Sequence, residues 1–349
     1  LFYLCYMITE GKAKLDIKIE DIVSKKMETF YNPVMKFNRD ISVLLLNCID
    51  NKDMQIGLPL AGSGIRGIRF IKELNKGIIK SIKMNDKSVG AIKSIKKNLS
   101  LNKIKSKKVF IFNNDANLFL LENMGFNYID LDPFGSPNFV LNSSIVGLAR
   151  ESILAVTATD TAALTGTYKS ACMRKYWAKP LYNDKMHEVG LRILIRKIQL
   201  IGAQFEKALV PIFSYSKDHY FRVFFICHKG KLKVDPIIKQ HGMFMDAGPM
   251  WLGPLWDPKL ALKMYKENTI KDNNDFLLEI KNESKIDVVG IYDIPRLAKI
   301  YKIPKLPKQN DLIKNIKKKG FLACPTHIRE NSIKTNMSEK ELVKIIKSC

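Results

Sequence analysis

Residues 126–137 read Phe-Asn-Tyr-Ile-Asp-Leu-Asp-Pro-Phe-Gly-Ser-Pro, an apolar run that ends in an acid, a proline and an aromatic residue. The apolar part predicts a short buried strand over Phe126–Leu131. Asp132 can accept a hydrogen bond from an exocyclic amine, and Phe134 offers a surface on which a base can stack. Because Pro133 fixes the backbone between them, the acid and the ring are held at a set distance. This stretch therefore indicates chemistry on a planar nitrogen base.

The stretch lies in a region where strand-like and helix-like patterns alternate. We predict strands at Gln55–Leu60, Ile78–Met84, Lys108–Phe112, Phe126–Leu131 and Ser152–Ala158, and helices at Asn38–Cys48, Gly67–Leu74, Val89–Leu101, Leu118–Met124 and Asn138–Ala149. Five strands separated by helices are typical of a parallel sheet with helices on both faces. The predicted fold class is therefore α/β, with a Rossmann-like sheet.

Further elements flank this region. A strand is predicted at Ile8–Ile19 before it, and a long amphipathic helix at Glu188–Leu209 after it. Two strand-like runs follow, at Leu209–Ser214 and Tyr220–Cys227. The five residues between these runs are polar enough for a turn, so the pair is expected to add an antiparallel hairpin to one edge of the sheet.

The last third of the chain has a different pattern. Residues 248–254 are rich in proline and glycine and mark a boundary. Beyond them the chain is mainly helical, and Ile294–Ile300, Leu312–Lys319 and the strand-like Gly320–Ala323 resemble a helix, a helix and a wing. We therefore predict a large domain over residues 1–230 and a smaller, winged-helix-like α+β domain over residues 231–349.

The net charge indicates the class of partner. The chain has 58 Lys and Arg residues against 34 Asp and Glu, a formal charge of +24, and its pI is near 9.6. Residues 51–110 hold 15 basic and 3 acidic side chains. Lysine outnumbers arginine 48 to 10, so a compositional bias of the genome contributes to the excess. RNA or DNA is nevertheless the leading partner class, because a basic surface attracts polyanions.

Cysteine usage argues against metal sites and disulfides. The six cysteines contain no C-x-x-C pair, and Cys227-His228 with His241 lacks an evident fourth ligand. We expect no metal and reduced thiols in a cytoplasmic protein. No apolar run reaches the ~18–20 residues of a membrane span, and no membrane partner is expected. The first eight residues lack the basic region of a signal peptide, and Met7 is the expected translation start.

A glycine-rich turn follows the first predicted strand of the sheet. Residues 62–67, Gly-Ser-Gly-Ile-Arg-Gly, match G-x-G-x-x-G and open a helix. Glycines at Gly62 and Gly64 permit a tight turn, and a helix N-terminus favours a carboxylate or a phosphate. Asp86 lies 22 residues after Gly64, where an acid usually binds ribose hydroxyls. Both a dinucleotide and an adenosyl sulfonium satisfy these two features, so an NAD-dependent oxidoreductase is one alternative.

The third strand favours the sulfonium. Asn114-Asp115-Ala116 follows it with another carboxylate, which is suited to hold an adenine amino group. Acids then stand at the carboxyl ends of strands two, three and four. This pattern is typical of an S-adenosylmethionine site that faces a base, whereas a dehydrogenase needs a proton-relaying side chain that is not evident here. Each acid alone could instead cap the helix that follows it, but capping accounts far less well for all three together.

Taken together, these residues resemble the tRNA (guanine-26-N2) dimethyltransferase family of archaea and eukaryotes. The matching blocks are residues 30–35, 38–40, 63–69, 85–86, 115–117, 130–137, 156–160, 187–190, 218–222, 253–255, 326–327 and 333–335. The resemblance spans nearly the whole chain, and it implies a class I methyltransferase domain followed by a tRNA-binding domain.

The resemblance also implies roles for particular residues. Those that the resemblance implies contact S-adenosylmethionine are Arg39, Arg66, Asp86, Asp115 and Ala116. The glycine turn adds Gly62 and Gly64 to the expected cofactor site. Asp132 is the expected catalytic acid, and Phe30 and Phe134 are expected to hold a flipped guanine between them. Two departures stand out. The chain lacks the four-cysteine zinc site of some members, and its segment between Leu101 and Phe110 is short and rich in lysine.

Two alternatives to guanine N2 methylation remain at this point. A nucleic-acid adenine-N6 methyltransferase uses a similar acid-proline-aromatic motif, although a second proline usually follows the first where this chain has Phe134. A non-catalytic RNA-binding protein on a methyltransferase scaffold would tolerate loss of Asp132 or Asp86, yet both are present. Protein partners are not indicated by the sequence.

Overall fold

The computed structural model describes residues 5–18 and 31–348. The chain folds into two compact units that interleave along the sequence. The first takes the chain up to Ala158 together with Ile201–Val210 and Phe224–Val234, and the second takes the remainder. We predicted two domains that meet at residue 230 of the sequence, and this domain boundary stays a prediction. Within the described ranges, no helix is both long enough and apolar enough to cross a bilayer.

The first unit begins with a strand pair and then alternates strands and helices. Its strands are β1 (Cys5–Glu10), β2 (Ala13–Lys18), β3 (Met54–Leu58), β4 (Ile79–Asn85), β5 (Val109–Phe112), β6 (Phe126–Leu131) and β7 (Leu148–Ala158). Its helices are α1 (Lys36–Cys48), α2 (Ile65–Glu73), α3 (Val89–Leu101), α4 (Ala116–Glu122) and α5 (Leu141–Gly147). The predictions for β6 and α3 match to the residue.

The central sheet has seven strands in the order β5-β4-β3-β6-β7-β9-β8, where β8 is Lys207–Lys217 and β9 is Tyr220–Lys229. The pairings among β3 to β7 are all parallel. The predicted α/β class and the hairpin at the sheet edge are therefore confirmed. The central strands are almost continuously buried, as expected where helices cover a parallel sheet.

Strand register brings the carboxyl ends of four strands to one edge. Leu58 pairs with Met84, Asn85 pairs with Phe112, and Ile129 pairs with Gly57. The segments that follow β3, β4, β5 and β6 therefore emerge side by side. Ligands of open α/β sheets bind in the crevice at this edge.

Two elements that were each predicted as one are divided in the structure. The segment predicted as one strand at Ile8–Ile19 is the β1–β2 hairpin, which reverses at Gly11 with a φ of +55°; Ile19 lies outside the described residues. The helix predicted at Asn138–Ala149 is a 3-10 turn, Pro137–Val140, followed by α5. The ammonium of Lys207 donates to the carbonyls of Ile145, Val146 and Leu148 and so closes α5 early.

The second unit is mainly helical. Its helices are α6 (Thr161–Leu164), α7 (Lys169–Tyr176), α8 (Met186–Ala203), α9 (Lys231–Ile238), α10 (Pro258–Glu267), α11 (Asn274–Glu283), α12 (Ile294–Ile300), α13 (Gln309–Lys318) and α14 (Glu339–Ser348). Of α9, the residues from Asp235 onward belong to this unit, and of α8, those up to Leu200. The predicted helix at Glu188–Leu209 ends six residues early, because the chain turns at Glu206, with a φ of +54°, to enter β8.

Two small antiparallel sheets complete the second unit. One is β10 (His241–Phe244) with β11 (Ala247–Trp251), and the other has the order β12-β14-β13, with β12 at Tyr292–Asp293, β13 at Ala323–Pro325 and β14 at Ser332–Thr335. Helices α12 and α13 precede the β13–β14 pair, so the predicted helix-helix-wing order is present. The predicted strand at Gly320–Ala323 begins three residues later, and β12 and α14 were not predicted.

A buried ionic cluster lies inside the second unit. Glu188 on α8 accepts from Arg192, from the ammonium of Lys334 on β14 and from the backbone N–H of Gly290. Burial alone would raise the pKa of Glu188, but Lys334 and Arg192 outweigh it and lower the pKa to about 2. The carboxylate is thus charged and fully paired, which is how charges are tolerated in a protein interior.

Candidate active site

The loop between β3 and α2 depends on two glycines. Gly62 has a φ of +53°, and Gly64, the residue before α2, has a φ of +80°. A Cβ on Gly64 would also lie 3.2 Å from Cγ1 of Ile95. Residues other than glycine rarely adopt this backbone conformation. The predicted G-x-G turn is therefore formed, and it opens α2 as expected.

Asp86 supports this turn from the next strand. One carboxylate oxygen accepts from the N–H of Gly62 at 2.9 Å, and the other accepts from the N–H of Ser88 at 2.9 Å. An ionised carboxylate offers about four lone-pair sites. Asp86 can therefore hold the glycine turn and still accept hydrogen bonds from a ligand.

Asn85 was not singled out from the sequence, although it ties three strand ends together. Its amide donates to the carbonyls of Pro59 and Asn114, each at 3.0 Å, and its carbonyl accepts from the N–H of Asn114 at 3.0 Å. The side chain is fully buried. Asn85 therefore sets the spacing of the loops that follow β3, β4 and β5. The position of this amide beside Asp86, at the predicted end of a strand, is the sequence signal that could have identified Asn85 as part of the site.

Asp115 and Ala116 lie where β5 passes into α4. Asp115 caps α4 by accepting from the N–H of Asn117 at 2.9 Å, and that hydrogen bond is the main cause of the lowered pKa of Asp115. The helix-capping alternative thus holds for this acid. Ala116 is the buried first residue of the helix. Their predicted contact with a cofactor stays a prediction.

Arg66 occupies the centre of the site. Its Nη2 donates to Oδ2 of Asp132 at 2.6 Å, and its Nη1 lies 3.2 Å from Oδ2 of Asp130. The α1 side chains Asn38 and Ser42 accept from the same guanidinium, each at 2.9 Å. Arg66 was predicted to bind a cofactor, and here it holds the predicted catalytic acid.

Asp130 is the second residue that was not predicted to belong to the site. It lies two positions before Asp132, and alternate residues of a strand point to the same face. This spacing is the signal that could have identified it. The Asp132 side chain is 19% exposed whereas that of Asp130 is fully buried. Only the outer carboxylate can therefore reach a substrate.

The residues after Asp132 turn away from the strand. Phe134 is partly buried, and Gly135, with a φ of +76°, reverses the chain. Ser136 then starts the 3-10 turn. Phe134 therefore stays within two residues of the acid, as predicted. Phe30, the second predicted aromatic residue, lies outside the described residues.

Arg39 is held by the N-terminal hairpin. Its Nε donates to Glu10 at 2.7 Å, its Nη2 donates to Glu10 and to the carbonyl of Asn32, and its guanidinium lies over the ring of Tyr31. Burial alone would raise the pKa of Glu10, but Arg39 and Arg69 outweigh it and lower the pKa. The β1–β2 hairpin thus contributes to the site, which was not predicted.

Part of this set of residues borders one cleft. Of the predicted site residues it is lined by Arg39, Gly62, Arg66 and Asp132. The Oγ of Ser63, also on the cleft, is buried and has no hydrogen-bond partner among the described residues. In the same part of the chain, no three His, Cys, Asp or Glu side chains are arranged to hold a metal ion.

A parallel sheet, a glycine turn after its first central strand and acids at the following strand ends define a Rossmann-like methyltransferase. Comparison with known proteins is more specific. The family model of N2,N2-dimethylguanosine tRNA methyltransferases matches residues 11–247 and 241–347. The chain belongs to this family.

Individual relatives agree along nearly the whole length. The tRNA (guanine(26)-N(2)/guanine(27)-N(2))-dimethyltransferase of Aquifex aeolicus is 37% identical over 97% of this chain and 95% of its own. The tRNA (guanine(26)-N(2))-dimethyltransferase of Methanocaldococcus jannaschii is 36% identical over 98% and 99%. The solved structure of Trm1 from Pyrococcus horikoshii with S-adenosyl-L-methionine has a TM-score of 0.89, is 34% identical and covers 98% of this chain and 100% of its own.

Proposed function

We propose that this protein transfers methyl groups from S-adenosylmethionine to the exocyclic N2 of guanine 26 in tRNA, giving N2-methyl- and N2,N2-dimethylguanosine. The observation that carries the proposal is the Asp132 carboxylate at the cleft, with one oxygen on Arg66. The family of tRNA methyltransferases to which the chain belongs matches it over nearly its whole length. The protein is therefore an enzyme, a tRNA methyltransferase.

The residues at this edge of the sheet fit the cofactor. S-adenosylmethionine, when bound, supplies an electrophilic methyl group on a sulfonium. The buried, unpartnered Ser63 Oγ indicates a polar ligand, because buried polar groups are otherwise hydrogen-bonded. Asp86 retains lone pairs for ribose hydroxyls, and the glycine turn leaves backbone N–H groups close to the ligand. The residues proposed to bind the cofactor are Arg39, Gly62, Gly64, Arg66, Asp86, Asp115 and Ala116.

Asp132 is the proposed catalytic acid. Arg66 holds its Oδ2, and its Oδ1 has no hydrogen-bond partner among the residues that the structure describes. That oxygen can accept one N–H of the guanine amine and so aim the nitrogen lone pair at the methyl group. Alignment of this kind supplies on the order of 7–11 kcal/mol of the barrier reduction. Asp132 then takes the proton as the new N–C bond forms, which contributes roughly 10²–10⁴-fold.

Phe134 is proposed to stack on the guanine, with Phe30 on the other side. A guanine in a stacked context hides its N2, so the base must leave the stack at a cost of a few kcal/mol. Stacking on an aromatic side chain returns about 1–3 kcal/mol per base. The partial burial of Phe134 leaves ring surface available for this contact.

The charge of the chain supports tRNA as the partner, since a formal +24 favours a polyanion. We infer that residues 231–349 contribute to tRNA binding and that residues 1–230 carry the chemistry. The described cysteines Cys48, Cys172, Cys227 and Cys324 are free thiols, which supports the inferred cytoplasmic location.

Nucleoside mass spectrometry tests the function. An unmodified tRNA transcript is incubated with the protein and S-adenosylmethionine, beside a transcript in which guanine 26 is replaced by adenine. N2,N2-dimethylguanosine in the first transcript and none in the second is the expected result. Methylated adenine would move the substrate to the adenine-N6 class, and no methylation with tRNA still bound would leave a binding protein.

A further inference from the structure

The segment around α7 is unusually basic. Between Asp160 and Asp184 the chain has no acidic residue, whereas it carries four Lys or Arg side chains. Lys175 and Lys179 pair with Asp160 and Asp246. In the described part of the chain, no ion pair is formed by the remaining two, Lys169 and Arg174, which are both exposed. These two are therefore available to an anionic partner.

Two exposed apolar side chains lie in line with one of these charges on α7. Lys169, Met173 and Trp177 follow one another at i, i+4 spacing and so lie along one side of the helix. Met173 is 52% exposed and Trp177 is 49% exposed. We call Lys169, Met173, Arg174 and Trp177 the α7 surface. Basic side chains interleaved with an exposed aromatic residue are typical of surfaces that bind single-stranded nucleic acid.

The backbone at Trp177 adopts a conformation that is costly for a bulky residue. Trp177 ends α7 in the left-handed conformation, with a φ of +57°, and its carbonyl accepts from Arg196. Glycine or asparagine adopts this helix-ending conformation at much lower cost. A bulky residue there is an outlier, and such outliers cluster at functional sites. The helix end does not require a tryptophan at this position, so we look for the role of Trp177 in its exposed ring.

A buried positive charge lies beneath the ring and has no carboxylate partner among the described residues. The ammonium of Lys197 on α8 lies over the Trp177 ring, and Lys197 is only 5% exposed. No carboxylate pairs with it among the described residues, and the Nε of the neighbouring Arg196 is buried without a partner there. Burial and the nearby Arg196 lower the pKa of Lys197 to about 8. An unpaired buried cation destabilises a fold, so its presence indicates an anion that completes the site.

We propose that the α7 surface binds the RNA substrate, with Trp177 stacked on an unpaired base and Lys169 and Arg174 on adjacent phosphates. The inference rests on the proposed function, because it takes tRNA as the anion. Lys197 attracts the phosphate beside the stacked base. An RNA is favoured over an acidic protein surface, because only an RNA offers both a base to stack on the exposed ring and a phosphate for the cation beneath it.

The first test measures tRNA affinity in Trp177→Gly. Glycine accepts the left-handed conformation, so this variant is expected to fold, and its tRNA dissociation constant is expected to rise about 5- to 100-fold. Trp177→Tyr keeps a stacking ring and is expected to recover most of the affinity. S-adenosylmethionine affinity, measured in parallel, is expected to stay within about twofold of wild type. Equal tRNA affinity in Trp177→Gly and wild type would overturn the proposal.

A charge-matched pair of double variants isolates the location. Lys169→Gln with Arg174→Gln removes two positive charges from the α7 surface. Lys52→Gln with Lys76→Gln removes two exposed charges from the segments that precede β3 and β4, at the edge of the sheet opposite the cleft. Only the first is expected to reduce the slope of log affinity against log salt, by about 1.5–2. An equal effect of both would mean that net charge alone matters, and would overturn the proposal.

Lys197→Met separates an RNA contact from a packing role. Removal of a buried unpaired charge is expected to raise the melting temperature while it weakens tRNA binding severalfold. A lower melting temperature with unchanged tRNA affinity would show a structural lysine and overturn the role of Lys197. If wild-type protein methylates tRNA but α7 variants bind normally, only this inference fails. If wild type neither binds nor methylates tRNA, the proposed function fails with it.

Discussion

Replacement of Asp132 by Asn isolates the proton-accepting step. The Oδ1 of an asparagine can still accept from Arg66, which now donates to Asp132 at 2.6 Å. Its amide NH2 then faces the cleft, where the guanine amine also presents N–H groups. Two donors cannot hydrogen-bond to each other, so the variant loses both the alignment of the amine and the acceptor for its proton.

The magnitude follows from these two losses. Loss of the general base alone costs roughly 10²–10⁴-fold in the rate of the chemical step, which is about 3–5 kcal/mol of barrier. The fold is affected less, because Arg66 keeps Asp130, Asn38 and Ser42 as partners. Because the Arg66 and Asp132 side chains are both largely buried, we expect the loss of this charge to lower the free energy of unfolding by about 1–3 kcal/mol.

Single-turnover methylation of a tRNA transcript measures the chemical step without interference from product release. Thermal unfolding and S-adenosylmethionine binding, measured on the same preparation, report the integrity of the fold and of the cofactor site. Asp53→Asn is the matched control, because Asp53 is exposed and its φ of +52° suits asparagine. A single-turnover rate of Asp132→Asn above one-tenth of wild type would refute the assigned role.

Three further outcomes are expected. Asp86→Asn should weaken S-adenosylmethionine binding about 10- to 100-fold in calorimetry through loss of charged hydrogen bonds; an unchanged dissociation constant would contradict the assignment. Lys334→Met should lower the free energy of unfolding at pH 7 by about 3–5 kcal/mol, because Glu188 loses a buried partner. The pKa of Glu188 is below its unfolded value, so its pairing stabilises above pH 4.5 and the deficit of Lys334→Met should shrink in denaturant titrations towards pH 2. The pKa of Lys197 is also lowered, to about 8, so burial of the charged lysine destabilises the wild type fully below pH 8. Lys197→Met should therefore be more stable than wild type below pH 8, and this difference in the free energy of unfolding should fall between pH 8 and 10.5. A difference that stays constant over this range would contradict the lowered pKa.

Much of the first unit was predicted, because several of its helices and strands are determined by the pattern of apolar residues within a short stretch of chain. The apolar run of β6 and the helical period of α3 lie within short stretches of chain, and both were predicted to the residue. The hairpin of β1 and β2 was missed, since residues 8–19 were predicted as one strand although the chain reverses its direction at Gly11. Helix α5 ends early through the distant Lys207, an interaction that no periodicity encodes.

The candidate site divides in the same way. Asp132, Asp86 and the Gly62–Gly64 turn were predicted, because each follows directly on a strand and strand ends of a parallel sheet share an edge. The link from Arg66 to Asp130 and Asp132 was not predicted, since the two partners lie 64 and 66 residues away in the chain. Asn85 and Glu10 were missed for the same reason.

The sequence alone determined the α/β class, the acids at the strand ends and the family resemblance, because these depend on residue types at fixed spacing. Tertiary structure decided which groups meet: Arg66 with the proposed catalytic acid Asp132, Glu188 with Lys334, and Lys197 with the ring of Trp177. The physical reason is that spacing along a chain determines the face on which a side chain lies. Its partner is set by the packing of elements that are distant in sequence.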